Sequence, residues 1–446
     1  MKYEKWSLGY WLARPFVVFA HWLIYRKIVV VGKNKIPKGK PLVFAGNHQN
    51  ALSDDIAIVC CLPTQPVWLG RAGLFDVKFT RPILRFLKIM PVYRIRDGKD
   101  TLGKNDEVFG KAITVLENKG TIALYPEAAH SFKRQMLPHK KGIPRIVFLA
   151  EEKNGFKLDI KIVPVGIYFS HYWHIGSKLL LMAGDPISVN DYRVIYEENP
   201  PRAALKLRDD LYNAIRDLTI DIRSKTYYEE FEQIREIAGR AFLKKTGKKG
   251  TFLNRFYAEK ELIKILEKAE KEQPVKISIL SGKVSSYTKI LKNLKIRDWL
   301  MAEKSAFGKM ALNLAVLLIT LPVSLFGFIM NFIPFFFLDR IIRKKVKNQA
   351  FWSTFFFAAG LLLFPLVYAA ELFFAAPLLP GIWSKALFLA GLPLAGKASY
   401  IWYIGLLKSS GRIRLLRLRT FHRALYYSLV SQRKEITDGL TDLTGA

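Results

Sequence analysis

Cysteine is nearly absent from this 446-residue chain: there are two, Cys60 and Cys61, and they are adjacent. Neighbouring cysteines rarely bridge one another, so no disulfide framework is expected and a reducing compartment fits best. They read as small core residues. Acid is also scarce, with 37 Asp and Glu against 70 Lys and Arg and a formal charge of +33. That excess calls for an acidic partner: nucleic acid, anionic lipid or a phosphorylated substrate. It is no detachable tail, because basic residues recur from Lys2 to Arg433. No internal repeat is found. Charge itself is missing from residues 310–338 and 348–370. Each run exceeds the roughly 20 apolar residues that cross a hydrocarbon core. A third, weaker stretch covers 372–407 and is interrupted by Lys385 and Lys397. The chain is expected to be integral to a membrane.

The first residues lack the small-residue cleavage site of a secretory signal. The stretch "WSLGYWLARPFVVFAHWLIY" (6–25) is apolar and aromatic, but Arg14 and Pro15 interrupt it. Trp6, Tyr10, Trp11, Trp22 and Tyr25 suit a membrane–water interface. Two short interfacial helices are expected within 1–26; the alternative is a helix packed on the protein's own core.

From residue 27 to about 200, short β-rich runs ("KIVVVG", "PLVFAG", "PVWLG", "IMPVYR", "GTIALYP", "DIKIVPVGIYF", "SKLLLMAG") alternate with helical stretches such as "DEVFGKAITVLENKG" and "GIPRIVFLAEEKNG". The alternation predicts an α/β domain over 27–200, with a mixed, largely parallel sheet flanked by helices. Residues 201–306 are charged and helix-favouring, and read as a helical linker. Membrane helices are then expected over 307–408 and a basic cytoplasmic tail over 409–446.

Four stretches carry chemistry-bearing residues. "NHQNALSDD" (47–55) follows a strand, placing His48 on a scaffolded loop with Asp54 and Asp55 after it. Residues 70–96 carry Arg71, Lys78, Arg81, Arg85, Lys88, Arg94 and Arg96 against a single acid, Asp76. "LYPEAAHSFKRQMLPHKKGIPR" (124–145) sets a strand end and a proline turn with Glu127 and Ser131 before five basic residues, Lys140 and Lys141 among them. "IVPVGIYF" (162–169) is a strand with an internal proline. A metal site is not expected, because no second His or Cys cluster accompanies His48. His21, His130, His139, His171, His174 and His422 are scattered.

In this order and at these separations the stretches resemble the glycerophospholipid acyltransferase family of lysophosphatidate, glycerol-phosphate and tafazzin-type enzymes. The matching residues are Asn47-His48 with Asp54, Tyr93 with Arg94, Tyr125-Pro126-Glu127 with Ser131, and Val163-Pro164-Val165. "GDPISV" (184–189) resembles the segment closing the family's domain. The resemblance covers about residues 27–195. The spacing from His48 to Asp54 is one residue longer than the family's common one, as in some glycerol-phosphate acyltransferases. Ala128 stands where the family usually has Gly, and His130 where Arg is common.

The resemblance implies acyl transfer from a thioester to an alcohol. A neutral imidazole removes the hydroxyl proton, which assigns His48 as general base. Asp54, ahead of Asp55, would fix its tautomer and stabilise the imidazolium. Backbone N–H groups near the Pro126–Glu127 turn are candidates for the oxyanion. Arg94 is the leading clamp for the acceptor phosphate, with Arg71, Glu127 and Ser131 assigned to the same phosphate. Lys140 and Lys141 are candidates for the donor's phosphates. The expected reaction transfers a fatty acyl group from acyl-CoA or acyl carrier protein, as co-substrate, to lysophosphatidate, giving phosphatidate. No further cofactor is called for. Glycerol-3-phosphate or another lysophospholipid is the alternative acceptor, and a non-enzymatic lipid-binding scaffold is the rival of another class. A bilayer containing anionic lipid is the expected partner; nucleic acid is not. Basic flanks near the apolar runs predict a catalytic unit on the cytoplasmic face, with 310–338 entering and returning through a turn near "SLFGF" (324–328), and a second hairpin turning at "PLLPG" (377–381).

Overall fold

A computed structural model describes residues 2–78, 80–93, 103–172, 175–303, 306–348 and 351–444. The chain divides into two compact units, one of residues 1–219 with 348–354, the other of 220–347 with 355–446.

The first unit alternates strands and helices: α1 (Leu8–Ile24), β1 (Lys27–Val31), β2 (Leu42–Gly46), α2 (Leu52–Cys61), β3 (Val67–Arg71), α3 (Thr80–Phe86), β4 (Ile89–Val92), α4 (Lys104–Glu117), β5 (Thr121–Leu124), α5 (Gly142–Lys153), β6 (Lys161–Phe169), β7 (Lys178–Ala183), β8 (Ile187–Ser188), α6 (Arg193–Glu198) and α7 (Pro200–Asp217). The sheet order is β1-β7-β6-β2-β5-β3-β4, with β8 on β6. Strands β2 to β6 run parallel, while β7 is antiparallel to β6 and carries β1. This is the mixed, largely parallel sheet that the alternation predicts. Strand β2 is buried along its whole length. Its alternate residues face two cores: Val43 and Ala45 join Ile122 and Ile146 on one side, and Phe44 joins Trp68 and Val163 on the other. A sheet covered on both faces requires such continuous apolar strands. The C-terminal ends of β2, β3, β4, β5 and β6 therefore share one edge, with β2 central between β5 and β6.

Two expectations for this unit change. Helix α1 is one 17-residue helix with Pro15 inside it, not two. Pro15 removes a single ladder bond. Arg14 donates to the carbonyls of Val59 and Leu62 at the end of α2, at 3.0 and 2.9 Å, so the interrupting pair docks the helix. Tyr10 and His21 are buried against the domain, while Trp11, Leu12, Phe16, Phe19 and Trp22 stay exposed. Residues 200–217 also fold here as α7, with Leu207, Leu211 and Ile215 in the core, rather than opening a linker.

The second unit is helical: α8 (Tyr228–Lys245), α9 (Phe252–Glu272), α10 (Pro274–Asn293), α11 (Asp298–Met301), α12 (Ala306–Ile319), α13 (Leu321–Lys345), α14 (Trp352–Ala375), α15 (Gly381–Phe421) and α16 (Arg423–Thr444). Helices α13, α14 and α15 are long and apolar enough to cross a membrane. No turn falls at 324–328. The helix breaks earlier, at Thr320, because Pro322 suits the first turn of a new helix. Gly327 lies where α13 meets Ala395 of α15, so close packing explains the glycine better than a reversal does. The turn expected around 377–381 does fall between α14 and α15. The C-terminal segment is no free tail: α16 buries Leu429, Ile436 and Leu440, and Arg433 pairs with Asp298 at 2.8 Å.

Candidate active site

His48 leaves the central strand two residues beyond Gly46. Asn47 governs that exit: its side chain donates to the carbonyl of Ile167 (3.0 Å) and accepts the N–H of Ile167 (2.7 Å), continuing the β2–β6 ladder through an amide side chain. The following loop closes through Ala51, whose φ of 46° lies in a region non-glycine residues rarely adopt. That turn carries the spacer between His48 and α2, and returns Asp54 to the imidazole.

Nδ1 of His48 lies 2.9 Å from Oδ2 of Asp54. The same oxygen accepts the N–H groups of Gln49 (3.0 Å) and Asn50 (2.8 Å). A carboxylate can only accept here, so Nδ1 carries the proton and Nε2 keeps its lone pair. Burial pulls the His48 pKa down, but the bond to Asp54 and the charges of Asp54, Asp55 and Glu127 outweigh it and raise the net value. Asp55, one residue further round the helix, lies beside Tyr125. Burial and the charge of Asp54 push it up to about 7, against the opposing pull of His48 and Tyr125.

The loop after β5 closes the other side. Tyr125 stacks on His48, with centroids 4.0 Å apart and planes 8° from parallel. Gly46 makes room for that ring, since a Cβ there would lie 3.1 Å from it. Glu127 is buried. One carboxylate oxygen accepts the N–H of His48 and the other the N–H of Leu137, both at 2.9 Å. Burial pushes this carboxyl up to about 7 against those two bonds. Ala128 adopts φ 53°, and its N–H closes the turn onto the Tyr125 carbonyl at 3.1 Å. His130 meets His48 edge-on at 5.4 Å. Phe351, from the 348–354 segment that folds with this unit, meets His130 at 5.1 Å and Phe132 at 5.7 Å.

The assigned phosphate residues fare differently. Glu127 points into the protein and spends both oxygens on backbone donors, so it does not present itself to an acceptor phosphate. The Ser131 hydroxyl lies 3.0 and 2.9 Å from the carbonyls of Lys133 and Gln135, where it holds its own loop. Arg71 is exposed at the end of β3, on the edge that carries His48. Arg94 lies outside the described residues, as does His174. Tyr93, just before Arg94, is held by the Asn105 side chain through bonds of 2.9 and 2.7 Å. Lys140 and Lys141 are exposed between β5 and α5; the Lys140 N–H is bonded to the Pro126 carbonyl at 2.7 Å. Arg134, unassigned from sequence, is buried, donates to the carbonyls of Phe169 and Ser170 (2.9 and 3.2 Å) and lies over Tyr172. Tyr172 in turn donates to Gln49 at 2.7 Å, which ties this arginine to the loop that carries His48. Among the described residues no group of three or more His, Cys, Asp or Glu converges as a metal site.

Residues 27–168 match the family model described as Acyltransferase. The chain is similar to glycerol-3-phosphate O-acyltransferase 2 of Saccharomyces cerevisiae, 27% identical over 116 residues, which is 26% of this chain and 16% of the relative. It is similar to 1-acyl-sn-glycerol-3-phosphate acyltransferase of Borreliella burgdorferi, 25% identical over 170 residues, which is 38% of this chain and 62% of the relative. It also resembles glycerol-3-phosphate O-acyltransferase 1 of Saccharomyces cerevisiae, 25% identical over 259 residues, which is 55% of this chain and 33% of the relative. Each match takes in less than two thirds of the relative's own length. Residues 27–168 of the α/β unit carry an Acyltransferase domain, similar to proteins named as glycerol-3-phosphate and 1-acyl-sn-glycerol-3-phosphate acyltransferases.

Proposed function

We propose that this chain is a membrane-bound O-acyltransferase that acylates lysophosphatidate to phosphatidate, with acyl-CoA or acyl carrier protein as donor. The carrying observation is the His48–Asp54 pair at the C-terminal edge of the sheet, with Nδ1 engaged and Nε2 left as base. Nε2 takes the proton of the acceptor hydroxyl as its oxygen attacks the thioester carbonyl carbon. The C–O bond forms, the tetrahedral adduct collapses, the C–S bond breaks, and the imidazolium returns the proton to the leaving thiolate. Asp54 stays a carboxylate throughout and stabilises the imidazolium. The acceptor hydroxyl is itself the nucleophile, so atoms and charge balance without an acyl-enzyme. Arg71, the last residue of β3 on the edge that carries His48, supplies positive charge for the acceptor phosphate, the role the family resemblance also gives to Arg94. Guanidinium groups suit phosphate because they donate in a fork.

Glycerol-3-phosphate is the second acceptor this reading admits. The longer spacing from His48 to Asp54 and the similarity to two enzymes named for that substrate favour it. The exposed aromatic face of α1 and the three long apolar helices support attachment to a bilayer. The basic residues flanking the apolar runs support a cytoplasmic orientation of the catalytic unit in this reading. The test offers full-length protein in detergent labelled acyl-CoA or acyl carrier protein with a panel of phosphorylated acceptors, and identifies products by mass spectrometry. Labelled phosphatidate is expected; transfer to none of the acceptors would leave the lipid-binding scaffold as the better reading.

A further inference from the structure

The geometry points to Tyr125 as a positioning residue: its ring face holds the His48 imidazole in plane and stabilises the imidazolium formed during transfer. This rests on His48 acting as the base. The two rings lie 4.0 Å apart and 8° from parallel, which puts the imidazole over the phenol face rather than its edge. That face carries the negative lobe of the ring quadrupole, so it attracts the imidazolium cation more strongly than the neutral ring. Charge appears on His48 only as the hydroxyl proton moves, so this interaction strengthens towards the transition state.

The ring is built into place. Strand β5 ends at Leu124, directly before it, and β5 pairs with β2, from which His48 departs. Gly46 leaves the space the ring needs. Trp68, itself in the core, lies 6.1 Å from the Tyr125 ring at 26° and helps to fix it in place. The phenol is held neutral: burial and the charges of Asp55 and Asp54 push its pKa well above the ordinary tyrosine value. A neutral, electron-rich face stacked on the base is what a developing imidazolium requires.

The test separates ring from hydroxyl. Full-length protein in detergent, with labelled histidine, is titrated by NMR to read the imidazole of His48, assigned with His48→Gln. The acid limb of log kcat/KM is read on the same samples. Tyr125→Phe keeps the face and is expected to leave the imidazole pKa and the limb near their wild-type positions. Tyr125→Leu is expected to move both about half to one pH unit lower and to lower kcat by about tenfold. Pentafluorophenylalanine at position 125 keeps the shape while reversing the quadrupole, so it decides the matter should the leucine variant fold poorly. It too is expected to lower the imidazole pKa relative to Tyr125→Phe. An imidazole pKa unmoved by the fluorinated ring overturns the proposal, as does a displacement in Tyr125→Phe as large as in Tyr125→Leu. If wild-type protein transfers no acyl group, the acyl-transfer reading falls, while the titration still judges the ring.

Discussion

Glu127 and His48 are joined through the backbone: the carboxylate of the first accepts the N–H of the second at 2.9 Å, 79 positions earlier in the chain. Its other oxygen takes the Leu137 N–H, so one buried side chain ties the His48 loop to the loop after β5. Substituting Glu127→Ala strands two buried donors, and leaving such a group unpaired costs about 1–3 kcal/mol. Lower thermal stability with a kcat loss is the expected result, and Glu127→Gln, which keeps one acceptor, should fall between. The sign of the pH dependence follows from the raised pKa. The ordinary value is 4.5 and the folded value about 7, so the protonated form is favoured by folding. That contribution is complete below pH 4.5 and fades as pH rises through 7. Denaturant titrations across this window should show wild type losing stability relative to Glu127→Gln as pH rises. A flat difference would mean the carboxyl titrates normally.

The His48–Asp54 geometry makes a different demand. His48→Ala should lower acyl transfer by at least the roughly 10²-fold scale of general-base loss, with folding intact by circular dichroism. Asp54→Asn should be nearly as damaging, because it removes the acceptor that fixes the tautomer. Asp55→Asn should be mild in kcat and should move the acid limb downward, since Asp55 contributes to raising the His48 pKa. Catalysis needs the neutral ring, so kcat/KM should climb with pH through a limb above the ordinary 6.5. A severe Asp55→Asn with a mild Asp54→Asn would reverse the assignment.

Ala128 adopts φ 53° within the loop that carries Glu127. A left-handed backbone costs a residue with a Cβ about 1–2 kcal/mol, and glycine nothing comparable. Ala128→Gly should therefore raise stability by about 0.5–1 kcal/mol after the extra flexibility of the unfolded chain is counted. Thermal melting in detergent checks the sign. A lower melting temperature would show that the methyl group packs better than the backbone geometry implies.

Strands such as β1, β2, β5 and β7 are readable because each is a short apolar run with Gly or Pro at its end, and both faces of the sheet are buried. His48 and Asp54 were readable because spacing along a loop and one helical turn is a local property. What escaped was set through space. A glutamate after a proline looks the same whether it faces a ligand or two backbone N–H groups, so the sequence alone points Glu127 to phosphate while the structure turns it inward. The Tyr125 stack depends on strand order, and Phe351 comes from a segment about 220 residues beyond His130. Arg14 and Pro15 looked like interruptions because their partners, the last carbonyls of α2, are 45 and 48 residues away. A glycine in an apolar run likewise marks either a turn or a close approach of two helices. At Gly327 it is the second.

That choice has a direct test. Contacts with α15 descend in step as α12 and α13 advance. Asn313 bonds to Ser409, Leu317 to Trp402, Ser324 to Ser399, and Asn331 to the carbonyl of Leu392. The two helices therefore run in one direction, antiparallel to α15, through the segment where a reversal was expected. A turn at 324–328 would bring residue 331 back towards the level of 320. At 1.5 Å per residue the 17 positions from 392 to 409 span about 25 Å, so residues 313 and 331 would no longer face both ends of that interval. In a background with Cys60 and Cys61 replaced by alanine, the pairs Asn313→Cys with Ser409→Cys, and Asn331→Cys with Leu392→Cys, should each cross-link on mild oxidation in native membranes. Formation of the first link without the second, together with a link between cysteines at 313 and 338, would restore the re-entrant turn.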